Sequence, residues 1–247
     1  MKKFGLIGHP IAHSKSPALF RAAYDGRYPY DLIEGADFEQ SWQRFLDEYD
    51  GINVTAPFKE LAYARADIRS AECEAIGAGN IFVKTEDGIK AYNSDYSAVA
   101  MMLLEAMKEK PLQTAMVIGC GGAGKAAIVA ALEVGLKTRI ANRNVAKAEE
   151  FADSLAAVFG PKKRPEVFGL EDGADSLPEC DVIIYTLPLA VKGIDSFEGK
   201  TVLEANYKDP VLNAESGKKW LLSQAVHGYF LFTGEEPDAE AMAKVFE

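Results

Sequence analysis

The stretch VIGCGGAGKAA sets Gly119, Gly121 and Gly124 in a G-x-G-x-x-G frame, directly after a run that reads as a strand and at the start of one that reads as a helix. Each glycine has a separate task there. The first makes a tight turn, the second lets the backbone approach a pyrophosphate, and the third packs helix on strand, with the anion over unpaired helix N–H groups. A glycine-rich turn without a ligand is the plain alternative, and the flanking strand and helix favour the nucleotide. An NAD site usually places Asp or Glu about 20 residues on, against the ribose 2′-hydroxyl. This chain has Asn142-Arg143-Asn144 there, with Lys147 one turn later. The missing acid and the two cations suit the 2′-phosphate of NADP. The alternative is a solvated basic helix start, which the helix dipole does not favour.

Three further clusters are richer in hydroxyl, amide and charged groups than loops require: His13-Ser14-Lys15-Ser16-Pro17, Asn53 to Lys59, and Asn80 with Asn93-Ser94-Asp95. Each lies at or just after the end of an expected strand. Ligands of open αβ sheets bind outside the carboxyl ends of strands, so the three are expected to share one crevice. Singly, each has an ordinary structural reading: Ser16-Pro17 as an N-cap with Pro at the first helical position, Lys59 as a surface lysine, Asp95 as the N-cap of its helix.

The elements that must position these groups alternate. Phe4 to Ile7, Tyr30 to Ile33 and Gly51 to Thr55 read as strands, with an amphipathic helix from Phe38 to Tyr49, which implies a mostly parallel sheet. Asn80 to Val83 and Ile89 to Tyr92 read as a hairpin around the turn residues Glu86-Asp87-Gly88. A helix from Asp95 to about Lys108 ends at Lys110-Pro111. A second αβ series follows: the run TAMVIG from Thr114, an Ala-rich helix to Val134, a strand from Thr138 to Ala141, a helix from Ala146 to Val158, a basic loop from Gly160 to Arg164, and buried strands at Asp181 to Tyr185 and Thr201 to Ala205. That series is the run of a dinucleotide fold. A long helix from Lys218 to Phe232 and a short one from Asp238 to Phe246 close the chain, which has no internal repeat and no low-complexity tract.

Composition bounds the partners. Of 247 residues, 48% are hydrophobic and 26% charged, which argues against a disordered or collagenous chain. With 27 Lys plus Arg against 37 Asp plus Glu, the net charge is −10, which argues against nucleic acid and anionic lipid as partners. Cys73, Cys120 and Cys180 are odd in number and lack CxxC pairing, so neither a disulfide framework nor a zinc site is expected, and a reducing cytoplasm fits. His9, His13 and His227 are too scattered for a metal site. Cys120 reads as a small buried residue. The apolar run in MKKFGLIGHP is too short for a secretory h-region, and no stretch approaches the ~20 apolar residues of a membrane span.

These motifs together resemble the shikimate dehydrogenase family over nearly the whole chain. The family's loop G-x-P-x-x-H-S-x-S-P is matched by Gly8, Pro10, His13, Ser14, Ser16 and Pro17, and N-V-T-x-P-x-K by Asn53, Val54, Thr55, Pro57 and Lys59. I-G-A-x-N is matched by Ile76 to Asn80, N-T-D by Asn93-Ser94-Asp95, and G-x-G-G-A-x-x-A by Gly119 to Ala126, including Gly122 and Ala123. G-x-x-M-L-x-x-Q-A survives as Gly217, Leu221, Gln224 and Ala225, with Trp220 in place of Met.

The resemblance implies reversible reduction of 3-dehydroshikimate to shikimate with NADPH, on the way to chorismate and the aromatic amino acids. Ser14 and Ser16 would hold the substrate carboxylate with Tyr207. Thr55, Asn80, Asp95 and Gln224 would bind the ring hydroxyls, and Lys59 and Asp95 would be the catalytic pair. Gly119, Gly121, Gly122, Ala123 and Leu187 would line the cofactor, and Asn142, Arg143 and Lys147 would hold its 2′-phosphate. Hydride addition builds negative charge on the ketone oxygen, so a cationic donor such as Lys59 both stabilises that charge and supplies the proton, while Asp95 orients it and the substrate hydroxyl.

The implied architecture is α/β: a substrate-binding domain at 1–96 completed by 217–247, a Rossmann-type NADP domain at 97–216, and a cleft between them whose closure excludes water. A monomer or homodimer is expected. Where the family has N-A-T-x-x-G-M, this chain has Tyr185-Thr186-Leu187-Pro188-Leu189-Ala190-Val191; Glu204 to Tyr207 stand for D-x-x-Y, and Phe232 replaces a common Trp. Two rivals stand beside this reading: a quinate or shikimate dehydrogenase using NAD, against which Arg143 argues, and a catalytically weak sensor of the cyclic acid and nucleotide, which the altered nicotinamide segment keeps open although Lys59 and Asp95 argue against it.

Overall fold

The computed structural model describes residues 1–172, 179–192, 194, 197–207, 209–212 and 214–246. Two compact units divide the chain, Met1–Ser94 with Leu222–Glu247, and Asp95–Leu221.

The first unit is a six-stranded mixed sheet with helices. In chain order it holds β1 (Phe4–Gly8), α1 (Ser16–Ala23), β2 (Tyr30–Glu34), α2 (Phe38–Glu48), β3 (Gly51–Val54), α3 (Lys59–Ala64), β4 (Ile68–Arg69), α4 (Ala71–Ile76), β5 (Ile81–Thr85) and β6 (Gly88–Tyr92). The strand order is β2-β1-β3-β5-β6-β4. β1 is parallel to β2 and β3, and β5 is antiparallel to β3 and β6. The predicted hairpin thus supplies the antiparallel half of a sheet expected to be mostly parallel. All five residues of β1 are buried, as a central strand covered on both faces requires.

Asp37 accepts a hydrogen bond from Gln40 N at 3.2 Å and caps α2, worth about 1 kcal/mol. That helix buries Phe38, Trp42 and Phe45 against Ile52, Phe58 and Phe82. The other face is aromatic: Phe4 stacks on Phe232 at 5.0 Å and Phe20 meets Tyr229 edge-on at 4.7 Å. Both partners come from the end of the chain. A Cβ on Gly51 would stand 2.7 Å from the Phe232 ring, so glycine there makes room for it.

The second unit is the predicted αβ series. It holds most of α5 (Ser94–Glu109), then β7 (Thr114–Ile118), α6 (Gly122–Glu133), β8 (Lys137–Ala141), α7 (Val145–Phe159), β9 (Glu166–Phe168), β10 (Val182–Tyr185), β11 (Thr201–Glu204) and the start of α8 (Ala214–Thr233); α9 (Ala239–Ala243) belongs to the first unit. Pro161–Lys163 form one 3-10 turn where a loop was expected. The strand order is β11-β10-β7-β8-β9, all parallel. The chain leaves β7 on one side and returns on the other, so the order reverses beside β7, the place where such sheets bind ligands. Among the described residues no helix is long and apolar enough to cross a membrane, and no group of three His, Cys, Asp or Glu could hold a metal.

Candidate active site

In the first unit, register brings the polar clusters to one end of the sheet. β1 and β3 are parallel neighbours with Ile7 opposite Val54, so their carboxyl ends emerge side by side and Thr55 N–H donates to Ile7 O at 2.9 Å. β5 runs the other way, which puts Asn80, just before its start, at the same end: Val54 N–H donates to Asn80 O at 2.9 Å. β6 returns to that end, with Asn93 and Ser94 after it. A Cβ on Gly8 would lie 2.5 Å from Thr55 Cγ2 and 2.7 Å from Ile11 Cγ2, so the glycine is what lets the serine loop start this close to Thr55.

The loop closes on itself. Ser14 N–H donates to Ile11 O at 2.8 Å, Ser16 N–H to Ser14 Oγ at 3.2 Å, and Ser14 Oγ–H to Ser16 Oγ at 3.1 Å. Both hydroxyls are half-buried. Pro17 sits in the first turn of α1, but no side chain caps this helix; Ser16 lies within it, its hydroxyl committed to Ser14 instead. From 213 residues away, Tyr229 Oη donates to Ser16 O at 3.1 Å, and burial drives this phenol far above its usual range. Tyr30 Oη donates to Asn53 Oδ1 at 2.7 Å. Lys59 opens α3 and is half-buried, as is Gln224 on α8.

Asn80 is 6% exposed, and both ends of its amide are engaged: Oδ1 accepts from Ser94 N–H at 2.8 Å and Nδ2 donates to Ser94 Oγ at 3.1 Å. This bond changes the reading of Asp95 as a helix N-cap. α5 begins at Ser94, its first N–H is taken by Asn80, and Asp95 lies inside the first turn.

In the second unit the glycine turn has the three predicted geometries. Gly119 has φ +100°, where a side chain is strained, and a Cβ there would lie 2.6 Å from Thr186 Oγ1 and 2.9 Å from Leu187. A Cβ on Gly124 would lie 2.1 Å from Gly119 O, so α6 rests directly on the turn. A Cβ on Gly121 would meet nothing within 4 Å. That open space, beside a helix start with no side-chain cap, is the cradle a pyrophosphate needs. Gly122 and Ala123 form the first turn above it.

Past β8, Asn142 Oδ1 accepts from Cys120 N–H at 3.2 Å, its Nδ2 donates to Asn144 O at 2.9 Å, and Asn144 caps α7 through Lys147 N–H at 3.0 Å. The asparagines thus build the loop and leave Arg143 and Lys147 exposed. The residues present fit the adenine-ribose end of NADP: an open glycine cradle, no acid after β8, two exposed cations. Cys120 is buried, and burial raises its thiol.

Beside the turn, Thr186 Oγ1 donates to Ile118 O at 2.9 Å and Leu187 is half-buried. The Tyr185 hydroxyl donates to Leu189 O at 2.7 Å, fastening the segment in which Ala190-Val191 stand for the usual Gly-Met. Glu204, fully buried, accepts from Val211 N at 2.6 Å and Leu212 N at 2.8 Å, and its own N–H donates to Ser216 Oγ at 2.8 Å. A Cβ on Gly217 would lie 2.3 Å from Asn206 O, so α8 starts hard against the strand-end loop that carries Tyr207. Burial raises the half-buried Tyr207 phenol. Finally, Trp220 Nε1–H donates to Asp95 Oδ1 at 3.3 Å. Motif spacing did not point to Tyr229 as a partner of the serine loop, because its contact is made across 213 residues and leaves no local pattern.

A family model described as the shikimate dehydrogenase substrate binding domain matches residues 6–82. A shikimate dehydrogenase (NADP(+)) of Rubrobacter xylanophilus is 31% identical, the match covering 97% of this chain and 93% of that one. The crystal structure of Mycobacterium tuberculosis shikimate dehydrogenase is 30% identical over 99% of this chain and 98% of that chain, with a TM-score of 0.85. The shikimate 5-dehydrogenase of Thermus thermophilus, solved in complex with NADP(H) and shikimate, is 26% identical over 99% of this chain and 98% of its own, with a TM-score of 0.79.

Proposed function

Since this chain belongs to the shikimate dehydrogenase family, we propose that it catalyses the reversible NADP-dependent reduction of 3-dehydroshikimate to shikimate. The observation that supports the reading best is the register of β1, β3 and β5, whose termini at one end of the six-stranded sheet carry the serine loop, Thr55 and Asn80, with Lys59 opening the helix that follows β3. Hydroxyls and amides there suit a polyhydroxylated ring acid, and a lysine beside them suits a ketone that becomes an alcohol. Most of the proposed substrate groups lie in the first unit and the cofactor groups in the second.

In the reduction, the nicotinamide of NADPH supplies the hydride when bound. Charge then gathers on the substrate oxygen, and the Lys59 ammonium donates a hydrogen bond to it and transfers the proton. Asp95 accepts from a ring hydroxyl. Ser14 and Ser16 hold the carboxylate with neutral donors, while Thr55, Asn80 and Gln224 read the remaining hydroxyls. Arg143 and Lys147 receive the 2′-phosphate. Leu187, beside Gly119, would line the bound cofactor.

The protein acts as a cytoplasmic monomer or homodimer without a metal. Shikimate-dependent formation of reduced cofactor, followed by absorbance with NADP⁺ and NAD⁺ in parallel, tests the reading. Reduction is expected with NADP⁺. Calorimetric shikimate binding without reduction of either cofactor overturns it in favour of a sensor.

A further inference from the structure

Trp220 and Asp95 are almost wholly buried, 2% and 6% exposed, and the indole N–H of the one donates to Oδ1 of the other at 3.3 Å. A buried carboxylate needs donors, and an indole nitrogen can only donate, so the sense of this bond is fixed. The donor itself is held. The first turns of α8 are tied down by Ser216 Oγ, which accepts from Glu204 N–H at 2.8 Å, and by the close approach of Gly217 to Asn206 O. Lys219 pairs with Glu105 of α5 at 2.7 Å, joining the helix that carries the donor to the helix that carries the acceptor. The family motif has a thioether at this position, which supplies no N–H.

We infer that Trp220 is a positioning residue for the proposed reaction, acting through Asp95. By holding Oδ1 it fixes the rotation of the carboxylate and therefore the direction of its second oxygen. Because the donor is neutral, it does so without cancelling the negative charge that accepts from a substrate hydroxyl. A lysine or arginine in its place would neutralise that charge.

The inference rests on the proposed reaction, yet the two fail separately: a wild-type chain that makes no NADPH from shikimate removes the reaction. Given activity, Trp220→Phe keeps the ring and deletes the donor. It is expected to lower kcat/KM for shikimate about tenfold, the scale of a hydrogen bond to a charged group, while KM for NADP⁺ stays within about twofold. Combined with Asp95→Asn, its loss is expected to be far from additive, which a merely structural tryptophan would not produce. If kcat/KM for shikimate stays within about twofold of wild type, or the two losses add in full, the inference is overturned. If Trp220→Phe does not fold, fluorescence decides. Only Trp42 and Trp220 are present, so in Trp42→Phe the emission is that of Trp220. A change on saturation with shikimate supports the inference, and unchanged emission overturns it.

Discussion

With Lys59 replaced by Ala, turnover is expected to fall about 10²–10⁴-fold while calorimetry still detects shikimate, because the serine pair and Thr55 are held by bonds that do not involve Lys59. Unchanged turnover removes Lys59 from the mechanism. At this scale the sequence was legible wherever chemistry was concentrated in a short run, as in the serine loop or the glycine turn. It was less so where one residue serves another far away. Reading Asp95 as a cap rested on local spacing, and the cap is made instead by Asn80, 14 residues before Ser94. Tyr229 beneath Ser16 left no trace in the serine loop, because the bond spans 213 positions. Trp220 was visible only as a departure from the family motif, with no sign that its N–H would find a buried acid.

Gly121 and Gly124 stand three residues apart, yet they separate ligand binding from folding at the scale of one strand-turn-helix element. Gly121→Ala adds a methyl to open space, so stability should stay within about 0.5 kcal/mol while KM for NADP⁺ rises about tenfold or more as the backbone loses its approach to the pyrophosphate. Gly124→Ala drives a methyl to 2.1 Å from Gly119 O and should cost about 3 kcal/mol, at the top of the overpacking range. Denaturant melts and steady-state kinetics on the two variants check both; equal effects would refute the division of labour. Long elements were readable because their pattern runs over many residues: α2, α5 and α7 span 11 to 16 residues each, and α6 is a 12-residue Ala-rich run after the glycine turn. The elements that escaped, α3 and α4 at 6 residues, β9 at 3 and β4 at 2, are shorter than the window a period needs.

For the molecule as a whole, a charge of −10 cannot attract a carboxylate substrate or a phosphorylated cofactor, so binding falls to Arg143, Lys147, Lys59, the serine hydroxyls and the turn amides. The first unit is also discontinuous: its sheet begins at Phe4, and the rings that cover Phe4 and Phe20 come from Tyr229 and Phe232. Losing a buried aromatic costs about 3–5 kcal/mol, and two such losses rival the roughly 5–15 kcal/mol that holds a native domain. A chain ending at Leu221 is therefore expected to lose the near-UV circular dichroism of the first unit; a retained signal with a cooperative melt would refute this. The same feature sets an order of birth. A ribosome adds about 5–20 residues per second, so Phe4 emerges roughly 10–50 s before Phe232. Asp95–Leu221 is contiguous and is synthesised whole before then. The face of the first unit that holds Phe4 and Phe20 therefore stays uncovered until Tyr229 and Phe232 have been made, the interval in which a nascent chain has most need of a chaperone.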